Sequence, residues 1–582
     1  MRLARSAANK EAGAIWLGSF WLFVCANMQV GGYQAFAQYY RFAAADAASI
    51  DFKSRAIHAA LRPFSSGKAT PRRIDPLPGS VLNCAMADPS SSTYDLLIVG
   101  AGINGAGIAR DAAGRGLSVL IADQGDIGGA TSSASSKLIH GGLRYLEYYE
   151  FRLVAEALAE REVLLEIAPQ LTRPLRFVMP HVPSLRPAWM IRLGLLLYDS
   201  LGRLRRRATL PGSHGLDLSR SPLGDALQER YRKGFSYYDV ATDDARLTLA
   251  NVRAAADLGA RVMTRTRFVN ARRERGLWRA TLQAPAGEVR VSARALVNAA
   301  GPWAARVMAG LPADAKTPRP AEQLVKGSHI VVPRLYSGDH AFLLQNDDRR
   351  VVFLLPFEEI YTLIGTTEQR VDAPESAPVS QDEIAYLCRA ASRYTRVAVT
   401  PNEVVWSYSG VRPLADDGGD DPSAVSRDYR FVIDQENRAL SVIGGKLTTH
   451  RKLAEAALMK LAPWFPQMGP AWTDSKPLPG GDFDTLPELV AELQRAHPDL
   501  PEQWLTQIAH RHGSLASAVI GDAKNVADLG REFGGGLYER ELRYFVEREW
   551  AQSVEDIVWR RSKAGLALSA AQLTELALWL ER

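Results

Sequence analysis

Cysteine is nearly absent from this sequence: three occur in 582 residues, Cys25, Cys84 and Cys388. That excludes a disulfide-stapled scaffold, and a single cysteine beyond residue 85 fits a reducing compartment. The ten histidines are scattered, with no CxxC, HExxH or comparable cluster, so no metal site is expected. Charge of one sign is lacking from the body. Of 70 Lys and Arg and 64 Asp and Glu, the first 85 residues hold 10 and 4, leaving 60 of each sign for the rest. A body without net charge has no field to gather nucleic acid, which is excluded as a partner. Long apolar runs are missing too. The uncharged stretch from Ala12 to Tyr40 has an apolar core of 13 residues, Ala14 to Ala26, containing Gly18 and Ser19. A membrane span needs ~20. What remains is globular in composition, with 47% hydrophobic and 23% charged residues. At ~150 residues per domain the length predicts two or more domains.

Residues 1–93 form an N-terminal extension. Arg2, Arg5 and Lys10 precede its apolar core and Ala35-Phe36-Ala37 follows, which mimics a secretory signal. Residues 38–85 carry neither helical nor strand periodicity. Met86, a short polar lead and then a strong strand read as the true start, with 1–85 as translated upstream sequence; export and an anchoring tail are the alternatives.

Tyr94-Asp95-Leu96-Leu97-Ile98-Val99 reads as a buried strand running into Gly100-Ala101-Gly102-Ile103-Asn104-Gly105. A helical stretch to Arg115 and a second strand, Leu117 to Ala122, end at Asp123. A lone GxGxxG is weak, but strand, helix and a following acid make it a dinucleotide fingerprint. Gly100 allows the tight turn, Gly102 the approach of a pyrophosphate, and Gly105 the packing of helix on strand. The pyrophosphate then lies at a helix N-terminus, and Asp123 can accept from ribose hydroxyls. The pattern does not choose between NAD and FAD. Beyond it runs a Ser/Gly-rich stretch with Thr131, Ser132, Ser135, Ser136 and Lys137, leading into Ile139-His140-Gly141-Gly142-Leu143-Arg144-Tyr145. Small hydroxyl residues there suit a loop that wraps a long ligand.

Further along, Leu296 to Gly301 reads as a buried strand ending in a glycine turn near the cofactor, and 351–356 and 362–365 as a strand pair of an antiparallel sheet over a substrate cavity. Residues 471–483 are a linker by composition, with Pro477, Pro479, Gly480 and Gly481, and 484–582 are helical, with Leu542, Phe545, Val546 and Trp550 at helical spacing. Gly444-Gly445-Lys446-Leu447-Thr448-Thr449 precedes a helical run. Its N-terminus, if aimed at a flavin, would stabilise negative charge on the reduced ring; an ordinary Thr-capped helix is the plainer reading.

These stretches resemble the flavin-dependent, quinone-reducing sn-glycerol-3-phosphate dehydrogenases. The shared segments include 128–145, Arg186 to Arg192, Asp243 to Leu247, Asn298 to Trp303, Lys326 to Ile330, Ile364 to Thr367, Tyr408 to Leu414 and Gly444 to Thr449. The resemblance covers Asp95 to Arg582 and departs at Ala300, Glu368 and His450, where Thr, Asp and Tyr are usual. It implies an α/β fold: a Rossmann-like FAD-binding domain of the DAO type interleaved with an antiparallel-sheet substrate domain over 94–470, then an all-helical C-terminal cap. It implies FAD, glycerol 3-phosphate, a membrane quinone and peripheral attachment to the cytoplasmic face of the inner membrane, and it leaves a homodimer open.

A glycerol phosphate needs paired cations in a dry pocket, with guanidinium favoured for its bidentate fit. Arg144, Arg412 and Lys446 lie in shared segments, Arg427 is added as a further cation in a turn segment, and Tyr145 can add a hydroxyl. Arg412 is also expected to stabilise the developing oxyanion, and His329 or His140 to take the hydroxyl proton. The expected cofactor contacts are Gly100, Gly102, Asn104, Gly105, Asp123, Thr131, Ser132, Ser135, Ser136, Lys137, His140, Gly301 and Gly445 to Thr449. An oxidase using oxygen and an amine oxidase are rival readings, although amine oxidation would not need the cation cluster. A non-catalytic flavin scaffold at the membrane is a third. A nicotinamide enzyme leaves the Ser-rich loop and 444–449 without a role.

Overall fold

The computed structural model describes residues 92–206, 208–312, 322–348, 350–375, 378–415 and 428–582. The extension up to residue 91 and Arg427 lie outside them. The helices are α1 (Ile103–Gly114), α2 (Phe151–Ile167), α3 (Ala188–Arg205), α4 (Asp244–Asp257), α5 (Ala304–Ala309), α6 (Gln381–Ser392) and α7 (His450–Leu461). A C-terminal group follows: α8 (Leu486–Ala496), α9 (Glu502–His512), α10 (Ala516–Ile520), α11 (Glu539–Glu549) and α12 (Ala570–Leu580).

The strand Thr93–Val99 is aliphatic on both faces because both are covered, and Leu96, Leu97 and Ile98 are fully buried. It pairs in parallel with Val119–Ala122 on one side and Gly287–Asn298 on the other. Parallel Arg261–Met263 and Ala439–Ile443 extend this sheet, Arg430–Asp434 closes one edge antiparallel, and the hairpin Arg267–Glu274/Leu277–Ala284 branches from the long central strand. Helices α1, α4 and α7 pack together on one face. Small residues at the contact let them approach; a side chain at Gly107 would meet the ring of His450.

The second sheet has ten strands and is antiparallel except where Ala341–Gln345 lies parallel to Thr172–Pro180. The expected strand pair is present as Val351–Phe357 and Tyr361–Gly365, with Leu354 opposite Ile364. Glu322–Pro333 runs the length of Trp406–Ala415, which places Arg412 opposite Val325 and His329 opposite Tyr408. The short strand Leu138–Ile139 pairs with Lys233–Thr242, so the chain passes directly from the Ser-rich loop into this sheet.

Residues 471–483 carry no helix or strand and are fastened to the core. Arg110 donates to the Lys476 carbonyl at 2.7 Å and lies over the Trp472 ring, and the Leu478 amide donates to the Ile167 carbonyl at 2.7 Å. The C-terminal helices dock through buried ion pairs as well as apolar contact: Arg246 to Glu549 at 2.8 Å, Lys563 to Asp243 at 2.8 Å, and Arg561 to Asp126. Leu542 and Phe545 are fully buried in their core, Val546 only partly, and Trp550 ends α11 in a left-handed turn.

Candidate active site

The glycine turn is shaped by contact. Gly100 has φ +104°, and a Cβ there would stand 2.5 Å from the Ala299 oxygen. A Cβ on Gly105 would collide with the Gly100 carbonyl oxygen. Gly102, the N-cap of α1, brings no side-chain cap, and although Ser132 takes the Ile103 amide, the rest of the positive helix end is left for an anion. Asp123 accepts from the Ala101 amide at 2.7 Å and the Gly125 amide at 2.8 Å, fastening the turn to the end of the second strand. Burial pushes its pKa up against those two bonds. A carboxylate has about four acceptor sites, so capacity remains for sugar hydroxyls.

The Ser-rich loop is held chiefly by the protein. Ser132 Oγ accepts from the Ile103 amide at 2.9 Å, and Thr131 donates to the Val411 carbonyl at 2.5 Å. Ser135 donates to Asp244 at 2.8 Å through its hydroxyl and 3.0 Å through its amide, and Lys137 Nζ donates to the other Asp244 oxygen at 2.7 Å. Ser136 Oγ stands 2.9 Å from His329 Nε2. Across the turn Asn104 Nδ2 donates to the Gly444 carbonyl at 3.0 Å, while its buried Oδ1 has no hydrogen-bond partner among the described residues. Gly301 (φ +56°) opens the 3-10 turn Gly301–Trp303, and Gly445 (φ +96°) has Asn104 where a side chain would be. The Thr448 hydroxyl accepts from the His140 amide at 3.2 Å, and Leu447 offers its carbonyl to His450 Nδ1 at 2.8 Å. Thr449 is the N-cap of α7 but makes no capping bond with its side chain, so the Thr-capped reading does not hold. Two helix ends whose own N-cap residues make no side-chain bond, together with close-fitting glycines, suit a long anionic cofactor of the FAD type.

Next to this cradle, the second sheet and the 3-10 turn Leu143–Tyr148 enclose a cavity of about 110 Å³. Its polar lining includes His140, Arg144, Tyr145, Arg350, Thr366 and Glu368, and its apolar wall Leu138, Phe177 and Phe353. Arg144 stands 3.9 Å from Glu368. Lys446 Nζ lies 3.7 Å over the Tyr145 ring, joining the 444–449 segment to the cavity lining. His329 is buried beside it, stacked on Tyr408 at 4.9 Å. Burial and the nearby Arg412 and Lys137 charges hold its pKa well below 6.5, so it is neutral near pH 7.

Arg144, Tyr145, His140 and Lys446 therefore converge, with His329 and Arg412 close to each other on adjacent strands. Three further residues escaped the sequence reading. Arg350 and Asp239 line the cavity. Asp244 organises the Ser-rich loop, and its only signal was its place in a matched motif. Arg350 had no signal, being one charge in a turn.

The comparisons agree with this geometry. The family described as FAD dependent oxidoreductase matches residues 95–449, and the C-terminal domain of alpha-glycerophosphate oxidase matches 471–577. The chain is 49% identical over 500 residues to a glycerol-3-phosphate dehydrogenase of Pseudomonas aeruginosa, covering 85% of this chain and 96% of that one. It is 48% identical to the aerobic glycerol-3-phosphate dehydrogenase of Escherichia coli (84% and 97% covered) and 47% identical to the D-erythritol 1-phosphate dehydrogenase of Brucella abortus (85% and 99%). Among solved structures, a glycerol-3-phosphate dehydrogenase from Bacillus halodurans complexed with FAD matches with a TM-score of 0.65 at 25% identity, covering 82% of this chain and 87% of that one. With an FAD cradle, a substrate sheet and a helical cap in the family's order, the chain belongs to the FAD-dependent glycerol-3-phosphate dehydrogenases.

Proposed function

We propose that the chain oxidises sn-glycerol 3-phosphate to dihydroxyacetone phosphate and passes the electrons to a membrane quinone. The observation that carries this reading is the cavity beside the FAD cradle, lined by Arg144, Arg350 and His140. Two guanidinium groups in a partly dry cavity suit a phosphate dianion, and oxidation of a simple amine would not need them. The glycine turn, the N-terminal ends of α1 and α7, and Asp123 hold FAD. FAD, when bound, is the two-electron acceptor for the alcohol carbon. Arg144 and Lys446 bind the phosphate, and Arg412 offers positive charge where the alcohol oxygen becomes a ketone. Two imidazoles can take the hydroxyl proton: His140 in the cavity lining, and His329, kept neutral and oriented by Ser136. Arg427, outside the described residues, is kept as a further phosphate ligand on the sequence alone.

Membrane attachment is part of the same reading, and α3 supports it. Trp189, Leu193, Leu196 and Leu197 are exposed along one stripe of this helix, with Trp189 63% exposed, and exposed Arg203 follows them. No helix among the described residues is long and apolar enough to cross a membrane, and an apolar stripe beside cations suits attachment in the interface plane, at the cytoplasmic face of the inner membrane. The apolar run from Trp189 to Tyr198 is divided between two faces: Leu195 is fully buried, Leu196 and Leu197 are not, and beyond it Arg206 pairs with Glu166.

The test is anaerobic bleaching of the flavin by glycerol 3-phosphate, with D-erythritol 1-phosphate and unphosphorylated glycerol beside it. Reoxidation by a quinone or by oxygen then identifies the acceptor. Bleaching by glycerol alone at equal concentration would sink the phosphate assignment.

A further inference from the structure

Tyr198 faces inward from α3 and is 2% exposed. Its phenolic oxygen accepts the Gly141 amide at 2.8 Å, and its proton lies between the Asp239 oxygens, at 2.8 and 3.0 Å. Asp239 is a carboxylate held by Arg161 at 2.9 Å, and Arg161 is itself held by Glu162 at 2.9 Å and the Tyr238 carbonyl at 2.9 Å. The direction of the chain of bonds follows. A phenol has one proton to give, the carboxylate takes it, and the lone pair is left facing Gly141. Gly141 fits this contact closely: a Cβ there would stand 2.7 Å from the Tyr198 oxygen and 2.6 Å from Leu158.

We infer that Tyr198, held by Asp239, is a positioning residue that fixes the origin of the turn carrying Arg144. Gly142 follows with φ +75°, a conformation that strains any other residue, and its carbonyl accepts the Tyr145 amide at 2.8 Å. Residues 141 and 142 thus set where the turn Leu143–Tyr148 begins, and Arg144 and Tyr145 project from it into the cavity lining. Without the hydroxyl the Gly141 amide and Asp239 each lose a partner in a buried place, and the turn loses its fixed point while its residues stay intact.

The inference rests on the reading that Arg144 binds the substrate phosphate. Such binding is made alike in ground and transition states, so its loosening raises KM and leaves kcat. Four variants separate the possibilities, assayed for glycerol 3-phosphate with a soluble quinone analogue, with FAD occupancy and thermal midpoint recorded. Tyr198→Phe is expected to raise KM about three- to tenfold, the range of one hydrogen bond, with kcat within about twofold. Gly141→Ala, which displaces the same contact from the other side, should do likewise, and the double variant should be no worse than the more severe single. Leu195→Ala, a cavity elsewhere on α3, should lower the midpoint and leave KM alone. Arg144→Gln tests the reading beneath. If Arg144→Gln raises KM and both Tyr198→Phe and Gly141→Ala do not, the positioning role is overturned. It is also overturned if Leu195→Ala raises KM as much, because the effect is then one of general packing. An unchanged KM in Arg144→Gln overturns the phosphate reading instead. If Tyr198→Phe fails to fold, Gly141→Ala alone decides between these outcomes.

Discussion

Two glycines of one motif should fail in different ways. At Gly105 a methyl group would collide with the Gly100 carbonyl oxygen and stand 3.1 Å from its carbon. That turn cannot yield: Gly100 donates to the Ala122 carbonyl at 2.8 Å, and Ala299 occupies the space on its other side. Overpacking of this kind costs ~1–3 kcal/mol, and it is present with or without the cofactor. At Gly102 the nearest obstacle is Ser132 Oγ, 3.1 Å away. A hydroxyl can rotate aside, at the loss of its bond to the Ile103 amide, ~0.5–1.5 kcal/mol. The methyl then stands at the N-terminal end of α1, where the pyrophosphate must approach. Gly105→Ala should therefore lower the urea midpoint of the apoprotein. Gly102→Ala should leave it near wild type and weaken FAD by about tenfold, which is ~1.4 kcal/mol; Gly102→Val should purify colourless. The assays are tryptophan fluorescence in urea and an FAD titration followed by flavin fluorescence. A wild-type midpoint in Gly105→Ala, or full FAD occupancy in Gly102→Val, refutes the assignment of the two roles.

Three more outcomes are expected. Arg412→Lys keeps the charge and loses the planar fork, lowering kcat/KM by ~1.5–3 kcal/mol, the scale of hydrogen bonds to charged groups; unchanged kinetics would place Arg412 outside the site. His450 is pushed down to about 4 by burial, so below pH 6.5 the unfolded chain binds its proton first and stability falls with pH, by up to ~1.4 kcal/mol per unit. Asp239, pushed up to about 6 by burial, takes its proton first in the folded chain and offsets one such histidine between pH 6 and 4. Urea midpoints at pH 7, 6 and 5 should show a shallower loss in His450→Asn, and an equal slope would contradict the burial argument. Changing Trp189, Leu193 and Leu196 to Ser should reduce co-sedimentation with anionic vesicles at low salt; binding equal to wild type would remove α3 as the docking face.

The first hundred residues of the fold were largely legible because their signals are local. A strand buried on both faces reads as an aliphatic run, a glycine turn as its spacing, and the acid at 123 as the end of the next strand. The C-terminal helices were legible for the same reason, through apolar residues at spacings of three and four. What could not be read is long-range pairing. Asp244 holds Ser135 and Lys137 from more than a hundred residues away, and Ser136 meets His329 from 193 away. No local pattern marks which hydroxyl has a protein partner and which faces the cofactor. The apolar run on α3 shows a second limit: adjacent leucines in a helix point about 100° apart, so one run supplies both a core face and an exposed one. The linker shows a third. Its Pro and Gly content says nothing of the carbonyls of Lys476 and Ile167 that bind it to the core.

The first turn of α4 explains why a helical cap belongs to a flavin-binding body. Asp243 caps the helix by accepting from the Arg246 amide at 3.1 Å and reaches Lys563 of the C-terminal segment; Asp244, one residue on, holds Ser135 and Lys137 of the flavin-side loop. Arg246 then grips Glu549 with both nitrogens, at 2.8 and 2.9 Å, and lies 3.3 Å from His512, whose other nitrogen meets Glu541 at 2.8 Å. Burying this many charges is a poor way to gain stability, since desolvation offsets most of the attraction and an apolar joint of equal volume would do as well. What fixed charge pairs supply is geometry, because each tolerates only one arrangement of its partners. Four consecutive residues, Asp243 to Arg246, thus refer the cap and the Ser-rich loop to one helix end. From that loop Ser136 bonds His329, Lys137 lies over Tyr408, and the chain runs on to His140. A cap docked out of place would be felt at His329 within a few bonds, with no cap residue in the cavity lining.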